Sequence, residues 1–199
     1  MIIVLLISAY LLGAIPVGYI ITKLIKGVDI RSLGSGNPGA TNVVRSVGPA
    51  AGIATFFLDA LKGYLAVIIA MKLSGSGHIY WWLIAGLCAV CGHIWTVFLK
   101  FKGGKGVATA CGVFFALMPA ATFAAFTVFL VVVYFTRYVS AGSICAAVFL
   151  PAFAWLMREP EILCVFATIV GLLVILKHKQ NIERLIKGTE NKFGVKTNE

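Results

Sequence analysis

Long apolar runs, most of them near the length of a bilayer crossing, dominate this sequence. A hydrocarbon core about 30 Å thick needs about 20 apolar residues in a helix. With 60% apolar and 12% charged residues, the chain has too little polar surface for a water-soluble globule. This excludes an ordinary soluble enzyme, a disordered chain and a disulfide-built scaffold, and it predicts an all-α, multi-pass membrane protein. The clearest runs are Met1–Thr22, Pro49–Met71, Ile79–Leu99, Gly142–Met157 and Ile162–Leu176.

Two features of these runs need further interpretation. Met1–Thr22 lacks a basic amino-terminal region and a small-residue cleavage site, so we expect a retained helix rather than a signal peptide. A further stretch, Val107–Tyr138, would form a helix roughly 48 Å long, too long for one crossing. Pro119 lies near its middle and breaks the helical hydrogen-bond ladder. The stretch is therefore either one kinked helix or two short ones.

The distribution of lysine and arginine decides between these two possibilities. Cytoplasmic loops of membrane proteins carry an excess of basic residues. With two helices, seven spans place 14 basic residues on one side and only Lys72 and Arg158 on the other, whereas six spans give eight on each side. We therefore predict seven transmembrane helices, some of them short, with the N-terminus outside and the C-terminus in the cytoplasm. We expect one integral membrane domain, residues 1–199, with an amphipathic cytoplasmic tail at 177–199.

Three polar, glycine-containing segments all fall on the cytoplasmic side of this topology. They are the glycine cassette, Gly34–Arg45, the lysine cassette, Lys100–Gly106, and the tail cassette, His178–Glu190. The net charge of +10 is concentrated on the same side. We therefore predict one convergent, cytoplasm-facing site for an anion, with phosphate as the best fit.

The glycine cassette combines backbone freedom with hydrogen-bond donors. Its glycines allow unusual backbone angles and let N–H groups approach a ligand closely. Serine, threonine and asparagine side chains supply neutral donors, and an arginine supplies a planar fork suited to phosphate. A re-entrant turn that hydrogen-bonds only itself is the alternative, but glycines together with an arginine fit an anion better. The candidate binding residues are Ser35, Gly36, Asn37, Gly39, Thr41, Asn42 and Arg45.

The lysine cassette leads directly into a predicted helix at Val107. Positive charge, flexible glycines and a helix N-terminus together form an anion site by electrostatics. A nucleotide-binding P-loop is excluded, because a glycine stands where that motif requires Ser or Thr after its lysine. A positive-inside anchor with a helix cap is the alternative, and it leaves the three glycines unexplained. The candidate residues are Lys102, Gly103, Gly104, Lys105 and Gly106.

The tail cassette has helical periodicity, with Ile182, Leu185 and Ile186 forming an apolar stripe. An amphipathic helix on the membrane surface explains most of its residues. It does not explain why His178 and Asn181 fall on the packed side. A satisfied core histidine and a catalytic histidine are equally consistent with this segment alone.

Charged residues also occur inside the predicted spans. Asp59 and Lys62 are three residues apart on one helix face and can pair. An ion pair that only fixes helix packing is as consistent with this spacing as a functional pair. His93, near the inner end of its span, can orient the lysine cassette or simply cap it. The five cysteines lie in apolar runs and their count is odd, so we expect no disulfide framework, and no residue spacing indicates a metal site or cofactor.

Four motifs together resemble the bacterial membrane acyl-phosphate:glycerol-3-phosphate acyltransferases. They occur in order over nearly the whole chain, with one departure at Thr96, where family members often have proline and which bears on how the local helix ends. The motifs are the glycine cassette, Asp59-Ala-Leu-Lys62-Gly63, the segment from Gly92-His93 through the lysine cassette to Thr109, and the tail cassette with His178, Asn181, Arg184, Gly188 and Glu190.

The resemblance implies transfer of a fatty acyl group from acyl phosphate to the 1-hydroxyl of sn-glycerol 3-phosphate. The products are lysophosphatidic acid and phosphate, on the way to phosphatidic acid. Together with the charge distribution, the resemblance predicts a bacterial inner-membrane enzyme with a cytoplasmic active site, and we expect that a monomer can function. Its partners are the two substrates and membrane lipids, with no nucleic acid.

The resemblance also assigns roles to the candidate residues. Ser35, Arg45 and the backbone of Gly34–Gly39 would hold one phosphate. Lys102, Lys105 and the Gly103–Gly106 amides would hold the other and neutralise charge at the acyl carbonyl. Asn37 and Asn42 would orient the glycerol hydroxyls, and Arg184 would contact substrate. The supporting residues are Asp59, Lys62, His93 and Glu190.

Two questions stay open at this stage. His178, positioned by Asn181, is the candidate for accepting the hydroxyl proton, but the oxygens of acyl phosphate could accept it instead. No acyl-enzyme is expected, because the cassettes hold no activated serine or cysteine. A transporter for a phosphorylated metabolite would also suit a basic pocket, although no internal repeat is found. A lipid-binding bundle would leave the lysine cassette unexplained.

Overall fold

The computed structural model describes residues 2–75 and 77–194, and every regular element in that part of the chain is a helix. The chain forms two compact units, Met1–Leu117 and Met118–Glu199. The all-α fold class predicted from the sequence is therefore confirmed for the described residues. The end of the predicted tail, residues 195–199, lies outside the described residues.

The first unit contains six α-helices and two short 3-10 helices. The α-helices are α1 (Ile2–Ala14), α2 (Val17–Lys26), α3 (Ala40–Ser46), α4 (Pro49–Ser74), α5 (Ile79–Ile94) and α6 (Val107–Leu117). The 3-10 helices are Ile30–Ser32 and Val97–Leu99. Helix α5 packs on α1 and α4, and α4 packs on α6.

Glycines let these helices approach closely. A Cβ at Gly13 of α1 would collide with the backbone of Ala89 in α5, and a Cβ at Gly112 of α6 would collide with the Ala60 carbonyl in α4. Small residues at such crossings are typical of membrane helices, whose association depends on close packing rather than on water exclusion. The α1–α5 and α4–α6 pairs form the rigid frame of the unit.

The second unit contains four helices. They are α7 (Pro119–Thr136), α8 (Val139–Leu156), α9 (Glu161–Lys177) and α10 (Lys179–Ile186). Helix α8 packs between α7 and α9, and α10 contacts both α8 and α9. Helices α9 and α10 meet at an angle of 60°.

Helices occupy the positions of the predicted spans, but two of the predicted spans are not continuous α-helices. Met1–Thr22 was expected as one helix, but it is divided after Ala14, because Pro16 has no N–H and cannot continue the helical ladder. The second piece continues to Lys26 and ends on Gly27, which adopts the left-handed conformation with φ 72°. Ile79–Leu99 likewise ends as an α-helix at Ile94.

The long stretch Val107–Tyr138 is two helices, as the charge distribution predicted, with the break at Met118 before Pro119. Its first half, α6, has 11 residues and is roughly 16 Å long, shorter than a bilayer core. In the described residues, five helical segments are long and apolar enough to cross a membrane, and the bent α9–α10 pair would make six.

Candidate active site

The first part of the glycine cassette, Gly34–Gly39, folds as a tight loop after the first 3-10 helix, and the last six residues of the cassette belong to α3. Gly34 and Gly36 have φ values of 51° and 70°, a region that residues with a Cβ rarely adopt. Ile30 and Val43, on either side of the loop, are fully buried and anchor it to the unit. Helix α2 touches it directly, because a Cβ at Gly18 would collide with the Pro38 carbonyl.

Asn42 holds this loop together from inside. Its Oδ1 accepts a hydrogen bond from the Ser35 N–H at 3.0 Å, and its Nδ2 donates to the carbonyls of Leu33 at 2.9 Å and Ile30 at 3.4 Å. The residue is only 2% exposed. In this structure the Asn42 amide bonds the loop backbone, and its role in orienting a substrate hydroxyl stays a prediction.

The other candidate residues of this cassette lie nearer the surface. Asn37 accepts a hydrogen bond from the Gly39 N–H at 2.9 Å through Oδ1 and is half-buried, as are Gly36, Gly39 and Thr41. Ser35 and Arg45 are exposed. Within the cassette, Asn42 is therefore buried and supports the loop, whereas the side chains of Ser35 and Arg45 are accessible to a ligand.

The lysine cassette forms a loop fixed to the end of α5. The N–H groups of Gly103 and Gly104 donate to the carbonyls of Ile94 and His93, each at 3.0 Å. Both amides thus bond the fold itself in this structure, and their predicted binding of phosphate stays a prediction. The preceding residues Lys100 and Phe101 have φ values of 55° and 62°, an uncommon backbone conformation for residues with side chains.

The glycines of this loop are required by packing. A Cβ at Gly103 would collide with the backbone carbonyls of His93 and Ile94, and a Cβ at Gly104 would collide with the His93 imidazole. After Gly106, with φ 85°, the chain enters α6, whose first-turn N–H groups lack acceptors within the helix. Lys102 is exposed and Lys105 half-buried beside this helix start.

Asp59, Lys62 and His93 form a buried group beneath the lysine cassette. Lys62 Nζ lies 2.7 Å from Asp59 Oδ1, and the same oxygen lies 3.5 Å from His93 Nδ1. Lys62 also donates to the Ile15 carbonyl at 2.8 Å. The ion pair predicted from the Asp59–Lys62 spacing is therefore present.

Thr96 takes part at the same place from the end of α5. Its hydroxyl donates to the Ala14 carbonyl at 2.6 Å and accepts from the Phe98 N–H at 3.2 Å, which caps the second 3-10 helix. Together, Lys62 and Thr96 satisfy carbonyls left open where α1 breaks. Sequence reasoning did not identify this break as part of the site, although Pro16 within an apolar run was a signal for it.

A small cavity of about 10 Å³, room for roughly one water molecule, joins these elements. From the cassettes, Pro38, Gly103 and Gly104 line it, over the buried charges and beside the α1 break, whereas Ser35, Arg45, Lys102 and Lys105 are not among its lining residues. The lining residues are Ala14, Ile15, Pro16, Val17, Pro38, Asp59, Lys62, His93, Thr96, Leu99, Gly103 and Gly104.

Arg31, just before the glycine cassette, also contacts the segment that leads into the lysine cassette. From the sequence it was counted only among the basic residues that set the membrane orientation. One of its guanidinium nitrogens donates to the Leu99 carbonyl at 3.3 Å, directly before the lysine cassette. The others pair with Asp29, which also caps the first 3-10 helix. This Arg31 hydrogen bond holds the pKa of Asp29 below its usual value.

In the second unit, His178 lies at the bend between α9 and α10 and is 3% exposed. Its Nδ1 is 2.8 Å from the Val174 carbonyl oxygen. A carbonyl can only accept, so Nδ1 carries the proton and the lone pair of the neutral ring is on Nε2. The last turn of α9 therefore fixes both the orientation and the tautomer of this imidazole.

Glu190 closes the tail cassette onto α8. Its carboxylate accepts hydrogen bonds from Asn181 Nδ2 at 2.7 Å, Ser140 Oγ at 2.8 Å and Arg184 Nε at 2.7 Å. Burial opposes ionisation, but these three donors outweigh it and hold the pKa of Glu190 below its usual value. Arg184, predicted to contact substrate, is thus paired with Glu190, and Ile186 of the predicted packed stripe is 82% exposed.

Comparisons with known proteins show which family the chain resembles. A sequence model described as glycerol-3-phosphate acyltransferase matches residues 3–188. The chain is 47% identical to the glycerol-3-phosphate acyltransferase of Syntrophotalea carbinolica, with 96% of both chains covered. It is 49% identical to that of Trichlorobacter lovleyi, with 94% of both covered.

Two solved structures are also similar. One is a crystal structure of PlsY (YgiH), an integral membrane glycerol 3-phosphate acyltransferase, in its glycerol 3-phosphate form. It has a TM-score of 0.91 and 45% identity, covering 97% of this chain and 96% of that one. The other, the lysophosphatidic acid form, has a TM-score of 0.89 and 44% identity, covering 97% and 95%.

Proposed function

This chain belongs to the glycerol-3-phosphate acyltransferase family, and we propose that it transfers a fatty acyl group from acyl phosphate to the 1-hydroxyl of sn-glycerol 3-phosphate. The products are lysophosphatidic acid and inorganic phosphate. The observation that carries the proposal is the match to the family from residue 3 to residue 188. The packing of Pro38, Gly103 and Gly104, one residue of the glycine cassette and two of the lysine cassette, around one cavity supports it.

The reaction needs little covalent help from the protein. The 1-hydroxyl oxygen attacks the acyl carbonyl carbon, the bond between that carbon and the phosphate oxygen breaks, and phosphate leaves with the electron pair. The hydroxyl proton passes to a base. Because acyl phosphate is already activated, the protein contributes mainly by positioning two phosphate-bearing substrates and by stabilising negative charge on the carbonyl oxygen.

The cassettes of the first unit supply suitable groups for two phosphates. The exposed Ser35 and Arg45 would bind one, with Asn37 and Thr41 beside them for a hydroxyl. Lys102, Lys105 and the first-turn amides after Gly106 would bind the other. We assign phosphate binding to these amides because N–H groups at a helix start lack an intrahelical acceptor and attract anions. The amides of Gly103 and Gly104 already donate to backbone carbonyls.

Two roles for His178 follow from its geometry, and they predict different kinetics. With Nδ1 donating to Val174, Nε2 can accept a proton, which is the general-base role. The alternative is that substrate phosphate oxygens accept the proton and His178 only positions substrate. His178→Ala lowers kcat at least about 100-fold in the first case. It mainly raises KM in the second, and the exposed neighbour Lys179→Ala serves as the control.

We propose the topology predicted from the charges, with seven crossings that include the short α6, the N-terminus outside and the C-terminus inside. The lysine excess supports a cytoplasmic active site in a bacterial inner membrane, where soluble glycerol 3-phosphate is available. The apolar helices would serve both as the bilayer anchor and as the wall of an acyl-chain site. We further propose that the monomer is active.

One experiment separates the enzyme from a transporter of phosphorylated metabolites. Purified protein in detergent micelles receives acyl phosphate and labelled glycerol 3-phosphate, so that no membrane divides two compartments. Labelled lysophosphatidic acid is the expected result. No labelled lipid with either acyl phosphate or acyl-CoA would favour transport instead.

A further inference from the structure

One buried oxygen, Asp59 Oδ1 of α4, lies close to both Lys62 of α4 and His93 of α5. Asp59 Oδ1 lies 2.7 Å from Lys62 Nζ and 3.5 Å from His93 Nδ1, and the three side chains are 2%, 5% and 9% exposed for Asp59, Lys62 and His93. Lys62 also binds the Ile15 carbonyl, beyond the end of α1. The group therefore ties α4 to α5 and to the α1 break.

The same group reaches the lysine cassette through His93. The His93 carbonyl accepts the Gly104 N–H at 3.0 Å, and the His93 ring occupies the space that a Cβ on Gly104 would need. Gly104 lies next to Lys105 in the chain. A displacement of the His93 ring must therefore move the segment that carries the lysines.

Packing alone is a poor explanation for these charges. Replacing a buried ion pair by apolar residues of similar volume is often neutral or stabilising, because the charges must give up their water. At this place an apolar pair would pack α4 as well, but it could not bind the Ile15 carbonyl or place a carboxylate oxygen 3.5 Å from His93 Nδ1. What the charges add is a defined position for the groups they bind.

We propose that Lys62, Asp59 and His93 are positioning residues for the lysine cassette. They set the place of Gly104, and with it that of Lys105, relative to the glycine cassette, without touching substrate. This inference rests on the proposed function, since it assigns these residues to phosphate handling in that reaction. Rates fall steeply when positioning groups are displaced, by about 100-fold for about 1 Å.

A double-mutant cycle between Gly104 and His93 tests this. Gly104→Ala places a Cβ against the imidazole, whereas His93→Asn removes the far half of the ring and keeps a nitrogen near Asp59. We expect Gly104→Ala to lower kcat/KM by about 100-fold, and the double variant to return to within about threefold of His93→Asn alone. The melting temperature in detergent is measured for each variant.

Gly103→Ala is the matched control. Its Cβ would meet the backbone carbonyls of His93 and Ile94, which the His93 substitution leaves in place, so His93→Asn must not rescue it. Rescue of Gly104→Ala in kcat/KM, but not of Gly103→Ala, supports the inference. Rescue of both, of neither, or of the melting temperature alone overturns it. A wild-type protein without activity refutes the proposed function itself.

A neutral pair tests the charges separately if Gly104→Ala does not fold. Lys62→Met combined with Asp59→Asn leaves no uncompensated charge, so we expect the melting temperature to fall only by the about 2–8 °C that the unpaired Ile15 carbonyl costs. We expect kcat/KM to fall at least about tenfold, with a raised KM for one phosphate substrate, because the Ile15 hydrogen bond and the negative charge beside His93 are lost. Activity within about twofold of the wild type would assign the pair to packing only and overturn the inference.

Discussion

Substitution of Asn42 discriminates between loop support and substrate contact. In Asn42→Ala, the Ser35 N–H and the Leu33 and Ile30 carbonyls all lose their side-chain partner. Two of these hydrogen bonds are near 3.0 Å and one is 3.4 Å, so at about 1 kcal/mol each the loss is about 2–3 kcal/mol. For a chain of this size that corresponds to a fall in Tm of about 4–12 °C.

Asn42→Asp makes the test sharper because it has nearly the same shape. One carboxylate oxygen can still accept from Ser35, but the other faces the carbonyls of Leu33 and Ile30, which also only accept. We therefore expect Asn42→Asp to be less stable than Asn42→Ala. If Asn42 instead oriented a substrate hydroxyl, a carboxylate could accept that hydroxyl and the Asp variant would retain more activity than the Ala variant.

The assay is thermal unfolding of purified protein in detergent, with kcat/KM measured on the same samples. Thr41→Ala, at the neighbouring half-buried position, is the stability control and should change the melting temperature little. A melting temperature for Asn42→Ala within about 1 °C of the wild type would refute the reasoning, as would an Asp variant more active than the Ala variant.

The remaining predictions concern the α1 break and the tail cassette. Thr96→Val removes the hydrogen bond to Ala14, so we expect the free energy of unfolding to fall by about 1–2 kcal/mol. Thr96→Pro loses the same hydrogen bond but fits the backbone, because φ at this residue is already −69°. We therefore expect the melting temperature of the Pro variant to be no lower than that of the Val variant, and a lower one would contradict this prediction. Because the pKa of Glu190 is lowered in the folded protein, its stabilisation is complete above the ordinary value of 4.5 and is lost as the pH falls through the lowered value. The Tm difference between wild type and Glu190→Gln should therefore shrink below pH 4.5; a constant difference from neutral to acid pH would contradict the assignment.

The sequence predicted where the helices lie better than it predicted which hydrogen bonds individual groups make. Apolar runs and proline positions are local signals, so the break before Pro119 and the pairing of Asp59 with Lys62 could be read from spacing. The start of α6 directly after the lysine cassette was likewise predicted, since glycines and a following apolar run mark a helix start.

Asn42, Gly103 and Gly104, all predicted to bind substrate, share one physical feature. In this structure their hydrogen-bonding groups bond the protein's own backbone. Which donor meets which carbonyl depends on contacts between segments far apart in the chain, such as Gly103 with Ile94 and Thr96 with Ala14. Residue type and spacing do not encode those contacts in a single sequence.

The central claim is that one phosphate is released for each acyl group transferred to glycerol 3-phosphate. Purified protein in detergent, given acyl phosphate and labelled glycerol 3-phosphate, allows both products to be counted in one sample. We predict equal amounts of labelled lysophosphatidic acid and inorganic phosphate. Phosphate release without labelled lipid, or labelled lipid from acyl-CoA but not from acyl phosphate, would contradict the account.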